Sequence, residues 1–240
     1  MPEVEFHPVL PRHRWYVGCK RIVDTVIAAT LLLVAAPVVA ILAVLVKLTS
    51  RGPAFYSQTR VGKNGRPFSI YKIRTMIHNC ESLTGPRWSI PGDPRITPLG
   101  RFLRLTHLDE LPQLVNVLCG HMSLIGPRPE RPEFLAELIQ AYPAYPERLR
   151  VRPGVTGFAQ VQLPADIDLD GVRTKLAYDL YYVEQASPLL DLRILVATVL
   201  YVARVPYETL GRLLRLPTRE IVEVHMEATL ATGIRRRLSA

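Results

Sequence analysis

The sequence is poor in cysteine, and its cysteines form no metal-binding pattern. Cys19, Cys80 and Cys119 are the only three among 240 residues, and they are widely spaced. This usage indicates a reducing compartment. Internal repeats and low-complexity tracts are also absent, so the chain is not organised as a repeat array.

Acidic residues are scarce, and one stretch has none. No aspartate or glutamate occurs between Lys47 and Cys80, and the chain carries a net charge of +9. This balance indicates an anionic partner, which could be nucleic acid, an acidic lipid surface or a phosphorylated substrate. Composition leaves these three open. The 21 prolines favour an irregular, loop-rich catalytic region over a helical bundle.

A long run without charge covers Thr25 to Val46. Its 22 residues are enough, at about 1.5 Å per residue, to cross a hydrocarbon core of about 30 Å. Pro37 lies in the middle, where it removes a helical hydrogen bond and predicts a bend. Basic residues flank both ends, so the positive-inside rule places both in the cytoplasm. These features predict a re-entrant helix that enters the membrane, bends at Pro37 and returns; a kinked single-pass helix is the alternative.

The remaining pattern predicts a small mixed α/β domain associated with the membrane. We divide the chain into a basic N-terminal tail (1–18), the re-entrant membrane helix (19–50), a cytoplasmic catalytic domain (51–205) and an amphipathic extension (206–240). Leu189 to Val205 is apolar but interrupted by charge, so we expect it to lie along the membrane interface or pack on the domain. The extension is interpreted as a membrane-surface helix, with formation of a homodimer as the alternative.

Two β-rich runs flank Lys63-Asn64-Gly65-Arg66, and Asn-Gly in this position predicts a hairpin. For Arg60 and Arg74 we favour a solvated basic face or contact with anionic headgroups. Lys72 differs, because its strand leads toward an acidic pair further along the chain. The next segment, His78 to Gly100, is rich in proline and glycine and predicts a loop that covers a site.

That acidic pair, Asp109 and Glu110, is predicted to open a short helix. Apolar residues at helical spacing follow it, and Gly120 is a natural stop. Free N–H groups and the positive end of the helix dipole favour phosphate there and keep an aspartate ionised. The alternative is that the pair only caps the helix. His107 is left out of the chemistry, because a lone histidine is more often structural.

Two arginines are predicted to join this acidic pair. Arg104 lies one or two helical turns before Asp109. Arg128 is held between Pro127 and Pro129, which reduces the entropy lost when its guanidinium binds phosphate. Together these residues predict a site for phosphate chemistry.

The assembled motifs resemble the bacterial sugar transferases that are monotopic, polyprenol-phosphate-dependent phosphoglycosyl transferases. The matching pieces include FYSQTRVGKNGRPFSIYKIRTM, LDELPQLVNVLCGHMSLIGPRPERPEF, RPGVTGFAQV and YDLYYVEQASPLLDLRIL. They extend from Lys20 to about Val202. The resemblance implies a re-entrant helix and a catalytic domain on the cytoplasmic face of the bacterial inner membrane, among its phospholipids.

The resemblance also implies a reaction. The aspartate at Asp109 would attack a UDP-sugar, release UMP and pass the phosphosugar to a polyprenol (undecaprenyl) phosphate. Mg²⁺ would bind at Asp109 and Glu110, with Glu110 as metal partner or base. Lys72, Arg104 and Arg128 match basic positions that hold phosphate, and Asp179 matches a supporting position.

The chain departs from the family pattern in two places, with Ala36 before the kink proline and QLPADIDLDG after RPGVTGFAQV. A non-catalytic membrane protein that binds nucleotide or anionic lipid is the alternative function. Nucleic acid is excluded as the partner by the long apolar run.

Overall fold

The computed structural model describes residues 13–82, 85, 90, 92–164 and 169–238. Its helices are α1 (Arg14–Thr49), α2 (Pro98–Thr106), α3 (Gln113–Leu118), α4 (Pro132–Ala141), α5 (Leu169–Gln185), α6 (Pro188–Val202), α7 (Tyr207–Leu213) and α8 (Arg219–Leu238). Its strands are β1 (Phe55–Val61), β2 (Pro67–Ile73), β3 (Ser123–Ile125) and β4 (Gly154–Thr156). Short 3-10 turns cover Lys63–Gly65, Leu108–Glu110 and Tyr145–Arg150. The mixed helix and sheet content confirms the predicted class.

The hairpin forms as predicted. Strands β1 and β2 pair antiparallel, with Tyr56 opposite Lys72 and Arg60 opposite Phe68. Asn64 and Gly65 both adopt positive φ, at 56° and 76°, which is the conformation that Asn-Gly accommodates best. Lys72 follows the buried Phe68 and Ile70 at intervals of two residues, so it lies on the same inward face of β2.

The second sheet does not include the run FAQVQ (residues 158–162), which the sequence pattern predicts to be a strand. This prediction is wrong, because residues 158–162 form turns, and the strand of this region is β4, which pairs parallel with β3. A Cβ on Gly154 would lie 2.1 Å from the backbone nitrogen of Gly126, so this approach requires glycine. Phe158, Ala159 and Val161 are instead buried in the core, which explains the apolar pattern of the run.

Helix α1 is long, apolar and bound to the domain along one face. Over Gly18–Thr49 it is long and apolar enough to cross a membrane, by length and composition. It begins at Arg14, inside the predicted tail, and residues 1–12 lie outside the described residues. Pro37 lies within it, and the helix continues past this residue. Ala28 and Ala35 join the main core, while Leu42 and Val46 pack with residues of β2 and α2.

A buried polar network attaches the start of α1 to the domain. Tyr16 donates to Asp191 of α6 at 2.5 Å, and Lys20 forms an ion pair with the same carboxylate. Ser123 of β3 donates to Asp24 at 2.5 Å. Tyr182 of α5 donates to the other oxygen of Asp191 at 2.8 Å. Buried charges require such partners, so the network fixes how α1 meets the domain.

Arg74 attaches the end of α1 to the domain. Its guanidinium donates to the backbone carbonyls of Ser50, Arg51 and Pro53 at 3.0, 2.5 and 2.6 Å. The expectation of a solvated or lipid-facing side chain is therefore wrong for this residue, which is buried. An arginine can satisfy three carbonyls at once because its donors form a planar fork.

For helix α6 we predicted either a position along the membrane interface or packing on the domain. One of its faces packs on the domain. Leu190, Ile194 and Ala197 are buried in that face. Its opposite side exposes Leu192 and Val199, although both are apolar. Beyond it, α8 packs against α5, and His225 contacts Glu184 at 2.5 Å.

We expect Arg74→Lys to destabilise the protein, because an ammonium group cannot reach all three carbonyls. The free energy of unfolding should fall by about 2 kcal/mol, since buried carbonyls lose charge-assisted hydrogen bonds. Thermal unfolding in detergent measures this effect. The matched control is Arg66→Lys on the exposed part of the hairpin, which should leave the melting temperature unchanged. Equal melting temperatures for the two variants would contradict the role given to Arg74.

Candidate active site

The acidic pair lies in a 3-10 turn rather than at the start of an α-helix. Leu108–Glu110 forms this turn, and α3 begins only at Gln113, after Pro112. His107 precedes the turn with a φ of 56°, which ends α2 and reverses the chain. Neither α3 nor the turn has a side-chain cap, so the alternative that the acidic pair only caps a helix is wrong. Leu108 packs against the cluster that contains Leu42 and Val46, which places the turn beside α1.

Glu110 is the acceptor that joins the parts of the site. Lys72 of β2 donates to its Oε1 atom at 2.6 Å, and Arg128 donates to the same atom at 2.9 Å. Burial alone would raise the pKa of Glu110, but the charges and hydrogen bonds of Arg128 and Lys72 hold it well below its usual range. Glu110 is therefore ionised at neutral pH and fixes both cations beside the turn.

Asp109 is buried, with 6% of its surface exposed, yet it has no such partner. Its carboxylate takes part in no hydrogen bond or ion pair within the part of the chain that the structure describes. Burial raises the pKa of Asp109 to about 6, and the charge of Glu110 acts in the same direction. Lys72, Arg104 and Arg128 oppose this increase. The result is a carboxylate that is largely ionised at pH 7 and open to a ligand.

These residues line one cavity of about 780 Å³. The structure thus brings together Asp109, Glu110, Lys72, Arg104 and Arg128, all five of which were predicted from the sequence. The cavity is also lined by residues 78–82, the start of the predicted covering loop. Residues 83–84, 86–89 and 91 of that loop lie outside the described residues. Arg104 is oriented by Thr75, whose hydroxyl accepts from its Nε atom at 2.9 Å.

Asp179 and Pro37 lie outside this cavity. Asp179 of α5 pairs with Arg148 at 2.7 Å, and Arg148 donates to the backbone carbonyl of Arg128 at 2.8 Å. The phenol of Tyr145 accepts from Arg148 at 2.5 Å. Asp179 therefore acts through Arg148 on the loop that carries Arg128, and Pro37 belongs to α1.

Sequence reasoning missed four residues of this region. Arg148 and Tyr145 carry no local signal, because their importance comes from a contact with a loop some twenty residues earlier in the chain. Arg60 lines the cavity, donating to Gln58 at 2.8 Å, so a solvated basic face does not describe it. His107 lines the cavity too, although it was left out of the chemistry.

We expect Asp179→Asn to lower the free energy of unfolding by about 3–5 kcal/mol, because it leaves the guanidinium of Arg148 buried without its countercharge. The double variant Asp179→Asn, Arg148→Met should recover part of this loss. Chemical denaturation in detergent measures both. Glu223→Gln is the control, since its pair with Arg219 is exposed and should contribute less than about 1 kcal/mol. A single and a double variant of equal stability would argue against a coupled pair.

Comparison with known proteins places the chain in a family. A 42% identical protein of Aeromonas hydrophila, matched over 184 residues, is a UDP-N-acetylgalactosamine-undecaprenyl-phosphate N-acetylgalactosaminephosphotransferase. The match covers 77% of this chain and 43% of that protein. The UDP-glucose:undecaprenyl-phosphate glucose-1-phosphate transferase of Escherichia coli (strain K12) is 39% identical over 184 residues, 75% of this chain and 39% of its own length.

The chain thus spans less than half the length of these two relatives. It covers nearly the whole length of another relative. An exopolysaccharide production protein of Rhizobium leguminosarum bv. phaseoli is 42% identical over 188 residues, which are 75% of this chain and 92% of that protein. Residues 15–205, which include the whole cavity, match the family described as bacterial sugar transferase. With its acidic turn, its cations and its apolar helix all inside that match, the chain belongs to the bacterial sugar transferase family.

Proposed function

We propose that the protein transfers a sugar-1-phosphate from a UDP-sugar to a polyprenol phosphate and releases UMP. The observation that carries this proposal is the carboxylate of Asp109, which is buried, unpaired among the described residues and surrounded by Lys72, Arg104 and Arg128. A carboxylate so placed is suited to attack phosphorus. The names of the Aeromonas and Escherichia relatives point to undecaprenyl phosphate as acceptor.

The reaction consists of two displacements at the same phosphorus atom. Asp109 attacks the sugar-linked phosphate, a new bond forms between its oxygen and phosphorus, and the bond to UMP breaks. An oxygen of the polyprenol phosphate then attacks this phosphorus, and the bond to Asp109 breaks, which restores the carboxylate. The product is a polyprenol diphosphate sugar. The two substrates therefore bind in turn, and one of them can remain in the membrane.

The cations around the cavity make the first attack feasible. A carboxylate and a diphosphate repel each other, so the approach needs positive charge that is already in position. Glu110 holds these cations in position, because Lys72 and Arg128 both donate hydrogen bonds to its carboxylate next to Asp109. Arg128 is further supported by the buried contact with Arg148. Since Glu110 accepts from two cations and has a low pKa, we assign it to positioning these groups.

Asp109 fits a Mg²⁺ ion better than Glu110 does. Within the described residues no group of three histidine, cysteine, aspartate or glutamate side chains is suited to a metal. Mg²⁺ commonly uses only one or two carboxylates together with substrate phosphates and water, and Asp109 offers the one that is unpaired. When bound, the ion would neutralise charge on the transferred phosphate. Asp109 would then be the residue that holds the ion, and the ion would supply positive charge beside the phosphate.

For the membrane arrangement we propose that α1 enters and leaves on the cytoplasmic face of the inner membrane. The support comes from its two ends, because Tyr16 near the start and Ser50 just past the end both bind the same domain. A single crossing would place these ends on opposite sides. Pro37 gives the position for the bend. Apolar residues on the exposed faces of α1 and α6 would contact lipid, and Leu192 and Val199 represent the latter.

The decisive test is UMP release from a panel of UDP-sugars by detergent-solubilised protein with Mg²⁺ and undecaprenyl phosphate. Asp109→Asn should abolish release, while Glu220→Gln on the exposed start of α8 should retain it. Because Asp109 must be ionised, kcat/KM for the sugar nucleotide should fall at low pH, and Mg²⁺ held by Asp109 should move this fall below the pKa of about 6 of the metal-free carboxyl. If Asp109→Asn releases UMP as fast as the wild type, the alternative hypothesis of a non-catalytic protein that binds nucleotide or anionic lipid is favoured.

The position of the ends of α1 can be tested by labelling single cysteines in sealed membrane vesicles. In a variant without other cysteines, the exposed Cys19 marks one end and Arg51→Cys marks the other. We expect an impermeant maleimide to label both from the cytoplasmic side only. The control places the cysteine at the exposed Val224 on α8, the helix that packs on α5 of the domain. Labelling of the two ends from opposite sides would establish a single-pass helix.

A further inference from the structure

A row of three rings runs from the cavity to the C-terminal segment. His107 lines the cavity two residues before Asp109, and its ring contacts that of Tyr201 on α6 with a centroid distance of 5.5 Å. Tyr201 stacks on Tyr207, the first residue of α7, at 5.4 Å. We call these three residues the aromatic edge. It joins the wall of the catalytic cavity to the surface of two further helices.

Exposed apolar side chains occur close in sequence to two of the rings of the aromatic edge. On α2, which ends just before His107, Phe102 and Leu105 are three residues apart on one face and are 52% and 56% exposed. On α6, which carries Tyr201, Val199 is 70% exposed and Val202 is 42% exposed. We call these four residues the apolar flanks; exposed apolar side chains of this size can contact another apolar molecule.

The aromatic edge lies on the side of the cavity that meets the membrane helix. Leu103 of α2 is fully buried in the cluster that contains Leu42 and Val46 of α1, and Leu108 packs on the same cluster. The cavity lining itself includes polar side chains, such as Gln58 and Asn79. The aromatic edge thus leads away from the cavity at His107, beside residues that pack on the long apolar helix α1.

We infer that the aromatic edge and its apolar flanks bind the first isoprenoid units of the lipid acceptor and guide its phosphate to Asp109. The inference rests on the proposed function. It assigns His107 and Tyr201 to the second displacement, in which a phosphate attached to an apolar chain must reach the phosphorus held by Asp109. A sugar nucleotide has no apolar chain to place on Phe102 and Leu105, so these side chains serve the acceptor and not the donor.

The chemistry of an isoprenoid phosphate matches this arrangement. Its chain is apolar and rich in double bonds, and it packs well on aromatic rings and branched side chains. Its head is an anion, and the cavity behind His107 contains Lys72, Arg104 and Arg128. The imidazole of His107 lies between these regions and can donate a hydrogen bond to a phosphate that passes it.

Tyr207 connects the C-terminal segment to the acceptor side of the site. This residue lies beyond the family match, which ends at residue 205, yet it stacks on a ring that contacts the wall of the cavity. Its hydroxyl also interacts with Tyr201, since burial and a hydrogen bond with Tyr201 raise the pKa of Tyr207 above its ordinary value. The part of the chain outside the shared family region therefore supports the acceptor side of the site.

The two displacements can be measured separately, which makes the inference testable. The first is followed as a single turnover of UMP release without acceptor. The second is followed as transfer of labelled phosphosugar from the protein to polyprenol phosphate at increasing acceptor concentration. Tyr201→Ala and Leu105→Ser should leave the first within about twofold of the wild type and raise the half-saturating acceptor concentration about tenfold, as the loss of one buried apolar contact predicts.

Matched variants separate this role from a general effect on folding. Tyr201→Phe keeps the ring and should behave as the wild type in both steps. Val224→Ser removes an equally exposed apolar side chain from α8 and should change neither step. Leu105→Ser probes the edge without disturbing a packed residue, so it remains informative if Tyr201→Ala is unstable. His107→Asn keeps a residue type that tolerates positive φ and should weaken the second step more than the first.

Two results would overturn the inference, and both differ from failure of the proposed function. Equal slowing of both steps would make the aromatic edge a structural support of the turn. An unchanged acceptor dependence in Tyr201→Ala and Leu105→Ser would place the lipid elsewhere. Absence of UMP release from the wild type with every sugar nucleotide would instead refute the transferase reaction itself.

Discussion

The arrangement of the site depends on one buried carboxylate that accepts hydrogen bonds from two directions. Glu110 receives Lys72 from the hairpin and Arg128 from the loop after β3, and both bonds end on the same oxygen atom. Three segments that are distant in sequence are thereby held at one point. The positive charges of Lys72 and Arg128 offset the negative charge of Glu110, because a buried carboxylate without a countercharge would destabilise the fold. The neighbouring Asp109 remains unpaired among the described residues because Glu110 has engaged the cations that could otherwise have bound it.

The two acidic neighbours thus have different properties although they are adjacent in the chain. Glu110 is ionised across the physiological range and serves as an anchor. Asp109 is pushed toward higher pKa by burial and by the charge of Glu110, and it titrates at about 6. Two like groups whose pKa values are driven apart commonly divide a catalytic task between them. Here one organises the cations and the other is available to react.

Much of the site could be predicted from the sequence, because its chemistry lies in short contiguous motifs. Lys72, Arg104, Asp109, Glu110 and Arg128 were all identified, and all of them line the cavity. The predictions that failed concern residues whose roles depend on contacts with distant parts of the chain. Arg74 was expected on the surface, yet it binds carbonyls at the end of α1, and no local pattern reveals that partner. Arg148 was missed because its role exists only through the loop that it supports.

The errors in the fold have a similar origin. The FAQVQ run alternates well enough to predict a strand, but its apolar residues are buried by a turn that the parallel pair β3 and β4 requires. The acidic pair was expected at the N-terminus of an α-helix, since apolar spacing cannot distinguish a helix from a 3-10 turn followed by a helix. Local propensity was overridden in both cases by the packing around it.

The packing of Leu108 on α1 has a consequence for how separable the parts of this protein are. Leu108 lies between His107 and Asp109, and it shares a cluster with Leu42 and Val46 of the apolar helix. Deleting that helix would therefore remove side chains that pack against the acidic turn. The helix is thus part of the packing that shapes the cavity and is not a separable appendage. A truncated form that begins after α1 would have to replace these side chains with a designed surface.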